Sequence, residues 1–190
     1  MKFILASASP RRKELMEMLG VENLSIIPAK GEEKADINLT PQELVKALAR
    51  AKAEEIALRA ERDDVVIAAD TIVWVDGRLF GKPRTKEEAS EMLHTLSGRA
   101  HEVFTGVTVI RNGVEVSESE RSLVHFRDLS DEEISAYIET GEPMDKAGAY
   151  GAQGKAALFV RKIDGDFFNV MGLPLCRLGE MLKKQGVVIL

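Results

Sequence analysis

Three stretches carry residues whose types and spacing could do chemistry. The first is Ser7-Ala8-Ser9-Pro10-Arg11-Arg12-Lys13. Ser9 suits a helix N-cap, and Pro10 suits the first helical position, where a missing N–H costs nothing. The opening turn of a helix exposes unpaired N–H groups and the positive end of the dipole. Arg11, Arg12 and Lys13 oppose that dipole. Either they are solvated charges at an ordinary helix start, or a polyanion offsets them, held by backbone N–H groups, the Ser7 and Ser9 hydroxyls and the cationic side chains. There is no GxxxxGK run, so the stretch is not a Walker loop.

The second stretch ends in Asp70-Thr71. Val65 to Ala69 is continuously apolar, the pattern of a strand covered on both faces. A carboxylate at the end of such a strand is costly to desolvate without a partner, a metal or a proton. The alternative is a turn-capping aspartate. The third stretch runs from Gly141 to Gly154, where four glycines surround Asp145, Lys146, Tyr150 and Gln153. It suits a loop that brings backbone close to a ligand, or a flexible connector. Cations neutralise phosphate, and a carboxylate can hold Mg²⁺ or activate a water. No Ser–His–Asp or Cys–His pairing is evident. The residues therefore point to a phosphorylated small ligand without a covalent nucleophile.

The elements that must position these groups follow from pattern. Phe3 to Ala6 reads as a strand, followed by a helix from Pro10 whose apolar side is Leu15, Met18 and Leu19, stopping at Gly20. Leu24 to Pro28 is a second strand, and Gly31 to Asp36 a charged loop leaving it. Thr40-Pro41-Gln42-Glu43 is a capping box that opens a helix to about Arg62. Its apolar side is Leu44, Leu48, Ala51, Ala53, Ile56 and Ala57. Asp76-Gly77 and Asn112-Gly113 sit between β-rich runs and mark hairpins; the first would carry Lys82 back towards Asp70. Thr85 to Glu88 and Ser130 to Glu133 start two more capped helices, the second reaching Thr140. Ala156 to Ile163 and Phe167 to Val170 read as a hairpin around Asp164-Gly165. Leu173 to Lys184 reads as a helix, and Val187 to Leu190 as a closing strand.

At 190 residues the chain suits one domain, or two small lobes. A net charge of −5 argues against a general nucleic-acid or membrane surface, so any anion site must be a local basic cluster. Cys176 is the single cysteine, which excludes a disulfide framework within the chain and a Cys-rich zinc site. Leu175 and Leu178 beside it favour a buried thiol. His94, His101 and His125 have no metal-ligand spacing and read as surface or half-buried residues. Phe3 to Ala6 is too short for a membrane span or a secretory segment, so the expected location is cytoplasmic. An apolar hairpin such as Ile72 to Phe80 suits either a homodimer contact or the core.

Leu5 to Arg12, Ala68 to Thr71, Gly81-Lys82-Pro83, Leu96-Ser97-Gly98-Arg99 and Gly141 to Gly154 together resemble the Maf family of nucleoside triphosphate pyrophosphatases. The resemblance spans essentially the whole chain. It implies a single Maf-like domain over residues 1–190, with an elongated α/β fold similar to that of inosine triphosphate pyrophosphatases. In that fold a mixed, twisted sheet with flanking helices forms two lobes around a cleft. It implies cleavage between the α and β phosphates, giving the monophosphate and pyrophosphate, with Mg²⁺ or Mn²⁺ as cofactor. Asp70 matches the family's proton acceptor, and Glu33 a second acidic residue acting through the metal. Ser7, Arg12, Lys52 and Lys82 match residues of the triphosphate cleft. Arg11, Thr71 and Gln153 match the specificity positions of the branch preferring dTTP and UTP, with CTP and modified pyrimidine triphosphates as further substrates. The glutamine amide, both donor and acceptor, suits a pyrimidine carbonyl and N–H. The family is also linked to septum formation in dividing cells, so a nucleotide-binding regulator is the alternative. A pure polyanion binder has no use for two carboxylates facing phosphate.

Overall fold

The computed structural model describes residues 1–31 and 38–190. Among these residues, seven strands, β1 (Phe3–Leu5), β2 (Leu24–Ile26), β3 (Val65–Val75), β4 (Arg78–Phe80), β5 (Ala100–Arg111), β6 (Val114–Phe126) and β7 (Val160–Asp164), form one sheet. Its order is β2-β1-β3-β5-β6-β7, with β4 paired to β3. β1 runs parallel to β2 and β3, whereas β4 and β7 are antiparallel to their partners. The helices are α1 (Pro10–Met18), α2 (Pro41–Ala57), α3 (Lys86–Leu96), α4 (Asp131–Glu139), α5 (Phe167–Met171) and α6 (Leu175–Lys184). The fold is mixed α/β.

The chain divides into two compact units. The first comprises residues 1–70, 105–120 and 172–190; the second comprises 71–104 and 121–171. In the first, Ile4, Ala6, Val66 and Ala68 of β1, the residue after it and β3 pack on Ala53 and Ile56 of α2. Gly106 on β5 has no room for a side chain: a Cβ there would lie 2.2 Å from the Val45 carbonyl oxygen of α2. That close approach sets α2 directly on strand backbone. In the second unit, Val73, Val75 and Phe80 of the hairpin join Leu93, Leu96, Ile134 and Tyr137 in one core. The hairpin's apolar side is thus core, while Leu79 stays 41% exposed.

Local hydrogen bonding explains several helix starts. The Thr40 and Ser130 capping boxes are complete. At α3, Thr85 accepts from the Glu88 N–H, but the Glu88 carboxylate accepts from the Arg84 N–H instead of closing the box. Asp76-Gly77 and Asn112-Gly113 adopt the positive φ angles that tight hairpins need.

Several expectations are corrected. β3 does not stop at Ala69; it runs through Asp70 to Val75. α1 buries Leu15 and Met16, and Met18 is exposed. α2 ends at Ala57 rather than near Arg62, and its buried side includes Val45 and Ala49 in place of Ala51. The expected hairpin after Ala156 is a 3-10 segment (Lys155–Leu158), then β7 on β6, then helix α5. Asp166 turns the chain into that helix, its carboxylate accepting the Phe168 N–H at 2.7 Å. α6 starts at Leu175, and Val187 to Leu190 form no strand although Val187 is buried. Cys176 is exposed on α6, because Leu175 and Leu178 take the helix's buried side.

His101 is fully buried, not half-exposed. Its Nε2 pairs with the Tyr150 hydroxyl at 2.8 Å, and the ring lies edge-on to Phe126 and Tyr150. Loss of solvation, with a smaller contribution from His125, pushes its pKa down to about 3. The unfolded chain therefore binds a proton that the folded chain refuses as pH falls below about 6.5, so stability falls with pH across that window. By pH 4.5 this one group should cost about 2–3 kcal/mol. His101→Gln, which cannot titrate yet can still partner Tyr150, should lose less stability than wild type between pH 7 and 4.5 in urea unfolding. Equal pH slopes for the two proteins would contradict this.

Candidate active site

Two clusters in the first unit bring sequence-predicted residues together. In the first cluster, Lys52 Nζ donates to Asp70 Oδ1 at 2.5 Å, with side-chain exposures of 17% and 11%. The position of Lys52 explains the pair. Val45, Leu48, Ala49, Ala53 and Ile56 form the buried stripe of α2, and residue 52 falls on that stripe by spacing. A lysine there is carried towards the sheet and needs an anion, which Asp70 supplies from the middle of β3. Asp70 is therefore a mid-strand carboxylate with a cationic partner rather than a turn cap. The lysine on an apolar stripe is the signal that could have singled out Lys52 from sequence.

The second cluster closes around the start of α1. Ser9 takes the N-cap position with Pro10 behind it, but its side chain makes no capping bond. Ser7 does local work instead: its hydroxyl oxygen accepts from the Ser9 N–H at 3.2 Å and from Arg12 Nη1 at 3.1 Å. Both lone pairs are thereby used, which leaves donation as the hydroxyl's remaining role. Arg12 Nε also donates to the Gly172 carbonyl at 2.7 Å. The guanidinium is thus held in a fixed orientation, suited to a planar grip on phosphate oxygens. Gly172 lies 160 positions away in sequence, and nothing local pointed to it. Lys13 pairs with Glu17 on the exposed side of the helix, as an ordinary surface pair. Arg11 is half-buried in the same turn.

Lys82, Thr71 and Gln153 belong to the second unit. Lys82 follows β4 and is exposed, Thr71 is half-buried on β3, and Gln153 is exposed near the end of the Gly141–Gly154 loop. That loop is not an unstructured connector. It holds two short 3-10 segments, Glu142–Asp145 and Ala147–Ala149, and Lys146 Nζ is bound by the Glu142 carbonyl and Asp145. Tyr150 is buried, and desolvation pushes its pKa strongly upward, so it stays protonated. Glu33 lies outside the described residues.

Among the described residues, no group of three or more His, Cys, Asp or Glu could hold a metal ion. Asp70 supplies one carboxylate. Such a donor set fits Mg²⁺, which takes one or two carboxylates and completes its shell with substrate phosphates and water, rather than an all-protein cage. Also among the described residues, no helix is long and apolar enough to cross a membrane.

The family model described as Maf-like protein matches residues 2–185 of the chain. The chain belongs to the Maf family. A protein of Alkaliphilus oremlandii named dTTP/UTP pyrophosphatase is 51% identical over 186 residues, covering 97% of this chain and 96% of that protein. Proteins with the same name from Bacillus velezensis and Methanosarcina barkeri are 50% and 48% identical, covering 98% and 99% of this chain and 97% and 96% of those proteins. Among solved structures, the Staphylococcus aureus Ham1 protein is similar with a TM-score of 0.55 at 14% identity, covering 97% of this chain and all of that one. A HAM1 protein from Coxiella burnetii is similar at 0.50 and 16% identity, covering 97% of this chain and 99% of that one. Those likenesses place the Maf chain in the α/β fold that its motifs imply.

Proposed function

We propose that this Maf protein hydrolyses dTTP and UTP to the nucleoside monophosphate and pyrophosphate, with CTP and modified pyrimidine triphosphates as further substrates. The observation that carries the reading is the Lys52–Asp70 pair, set apart from solvent on the stripe of α2 and the middle of β3. The names of relatives about half identical over nearly the whole chain support the substrate class.

In this reading Ser7 and Arg12 bind phosphate oxygens, the first as a hydroxyl donor and the second as a pre-oriented cation. Lys52 engages one oxygen of Asp70, and the other accepts a proton from the attacking water. Lys82 adds positive charge for the leaving pyrophosphate. Arg11, Thr71 and Gln153 discriminate the base. A divalent cation, Mg²⁺ or Mn²⁺, held by Asp70 and Glu33, would neutralise phosphate charge when bound. The role is the removal of unwanted nucleotides in the cytoplasm, with a link to septum formation. The protein acts alone or as a homodimer.

The test is a panel of common and methylated nucleoside triphosphates, with and without Mg²⁺, scored for pyrophosphate release. The expected result is release from dTTP and UTP that depends on the cation and far exceeds that from purine triphosphates. Binding of dTTP without release would instead support a regulator, and a purine preference would overturn the specificity reading.

A further inference from the structure

Gln153 stands at the tip of a turn, residues 151–155, and both ends of that turn are fastened by the side chains of Tyr137 and Glu142. The Tyr137 hydroxyl oxygen accepts from the Gly151 N–H at 3.3 Å. Glu142 Oε2 accepts from the Lys155 N–H at 3.1 Å, and Glu142 Oε1 accepts from the Tyr137 hydroxyl at 3.0 Å. The turn itself is closed by the Gly154 N–H on the Gly151 carbonyl at 2.9 Å. A Cβ at position 154 would lie 2.2 Å from Glu142 Oε1, so a side chain there would have to displace this carboxylate.

The anchor is rigid in its own right. Tyr137 is 4% exposed, on the buried side of α4, with its ring edge-on to Phe159 at 5.1 Å. Glu142 is held at its backbone as well: its N–H donates to Thr140 Oγ1 at 3.2 Å, and its carbonyl accepts from Lys146 Nζ at 2.7 Å. Gln153 itself is exposed. An exposed amide can discriminate a base only if its backbone is already fixed, because ordering a loose turn on binding consumes the gain from the hydrogen bonds.

We propose that Glu142 is a positioning residue for base discrimination: with Tyr137 it fixes the turn that presents Gln153. The inference rests on the reading of Gln153 as a base-discriminating residue. Glu142→Ala releases the Lys155 N–H and one side of the Tyr137 hydroxyl. It should raise KM for UTP about tenfold with kcat within about twofold, as loss of an interaction made equally in ground and transition states. kcat/KM for GTP should stay within about twofold, so the UTP-to-GTP ratio falls about tenfold. Hydrogen exchange of the Lys155 amide should rise at least about tenfold. Glu142→Gln should restore most of the ratio, its amide oxygen accepting from Lys155 and its NH₂ donating to Tyr137.

The same assays are run on Gln153→Ala. If that variant keeps the wild-type UTP-to-GTP ratio, Gln153 does not read the base and the inference falls with that reading. If Gln153→Ala lowers the ratio while Glu142→Ala does not, the inference alone is overturned. Equal losses of Glu142→Ala on UTP and GTP, or no rescue by Glu142→Gln, overturn it too. Should Glu142→Ala fail to fold, Gly154→Ala gives the same readout, because its Cβ displaces the carboxylate.

Discussion

Replacing Asp70 with asparagine should cut turnover of dTTP by about 100-fold or more while the protein still folds. The substitution keeps shape: asparagine has nearly the volume of aspartate, and its carbonyl can still accept from Lys52 Nζ, now 2.5 Å from Oδ1. What it removes is basicity, since an amide cannot take a proton from water. It also removes the negative charge that would hold a divalent cation. Both losses act on the chemical step, so kcat should fall far more than KM changes. Steady-state pyrophosphate release with dTTP and Mg²⁺, beside a thermal melt, checks this. Near-normal turnover in a folded Asp70→Asn protein ends the assignment of Asp70 as proton acceptor. A large loss accompanied by collapse of the melt would mark Asp70 as structural instead.

What was legible in the sequence was local. Thr40 with Glu43, and Ser130 with Glu133, close hydrogen bonds within four residues, and so they reveal helix starts from the chain alone. Asp76-Gly77 and Asn112-Gly113 reveal hairpins because only a few residue types tolerate their positive φ angles. The cost of burying Asp70 is legible in the sequence, but its place in the middle of β3 is not. A charged residue after five apolar ones looks like a strand end, whereas tertiary pairing with Lys52 lets β3 continue through it. Phe167 to Val170 is a similar case: so short a mostly apolar segment fits strand or helix, and Asp166 decides for helix. The bond from Arg12 to the Gly172 carbonyl had no sequence signal at all, because backbone acceptors carry no residue signature. The same holds for Glu142, whose partners are a tyrosine one helix earlier and a backbone N–H thirteen residues later.

Lys52→Ala should have a second large effect, and a double-mutant cycle with Asp70→Asn isolates its cause. The family resemblance sets Lys52 among the triphosphate-binding residues, and in the fold its ammonium also pairs with Asp70. Truncation leaves a carboxylate with 11% side-chain exposure facing the cavity of a missing ammonium, which should destabilise the protein by about 2 kcal/mol. It should also lower kcat by about 10- to 100-fold, because the carboxylate loses the contact that orients it. In the Asp70→Asn background the same truncation no longer strips a carboxylate of its cation, so its cost in stability should be smaller by about 1 kcal/mol or more. Urea unfolding of the four proteins measures this coupling directly. Additive stability losses would mean that Lys52 and Asp70 act independently. If Lys52→Ala raised KM and left kcat intact, its role would be phosphate binding alone, and Asp70 would owe its orientation to some other group.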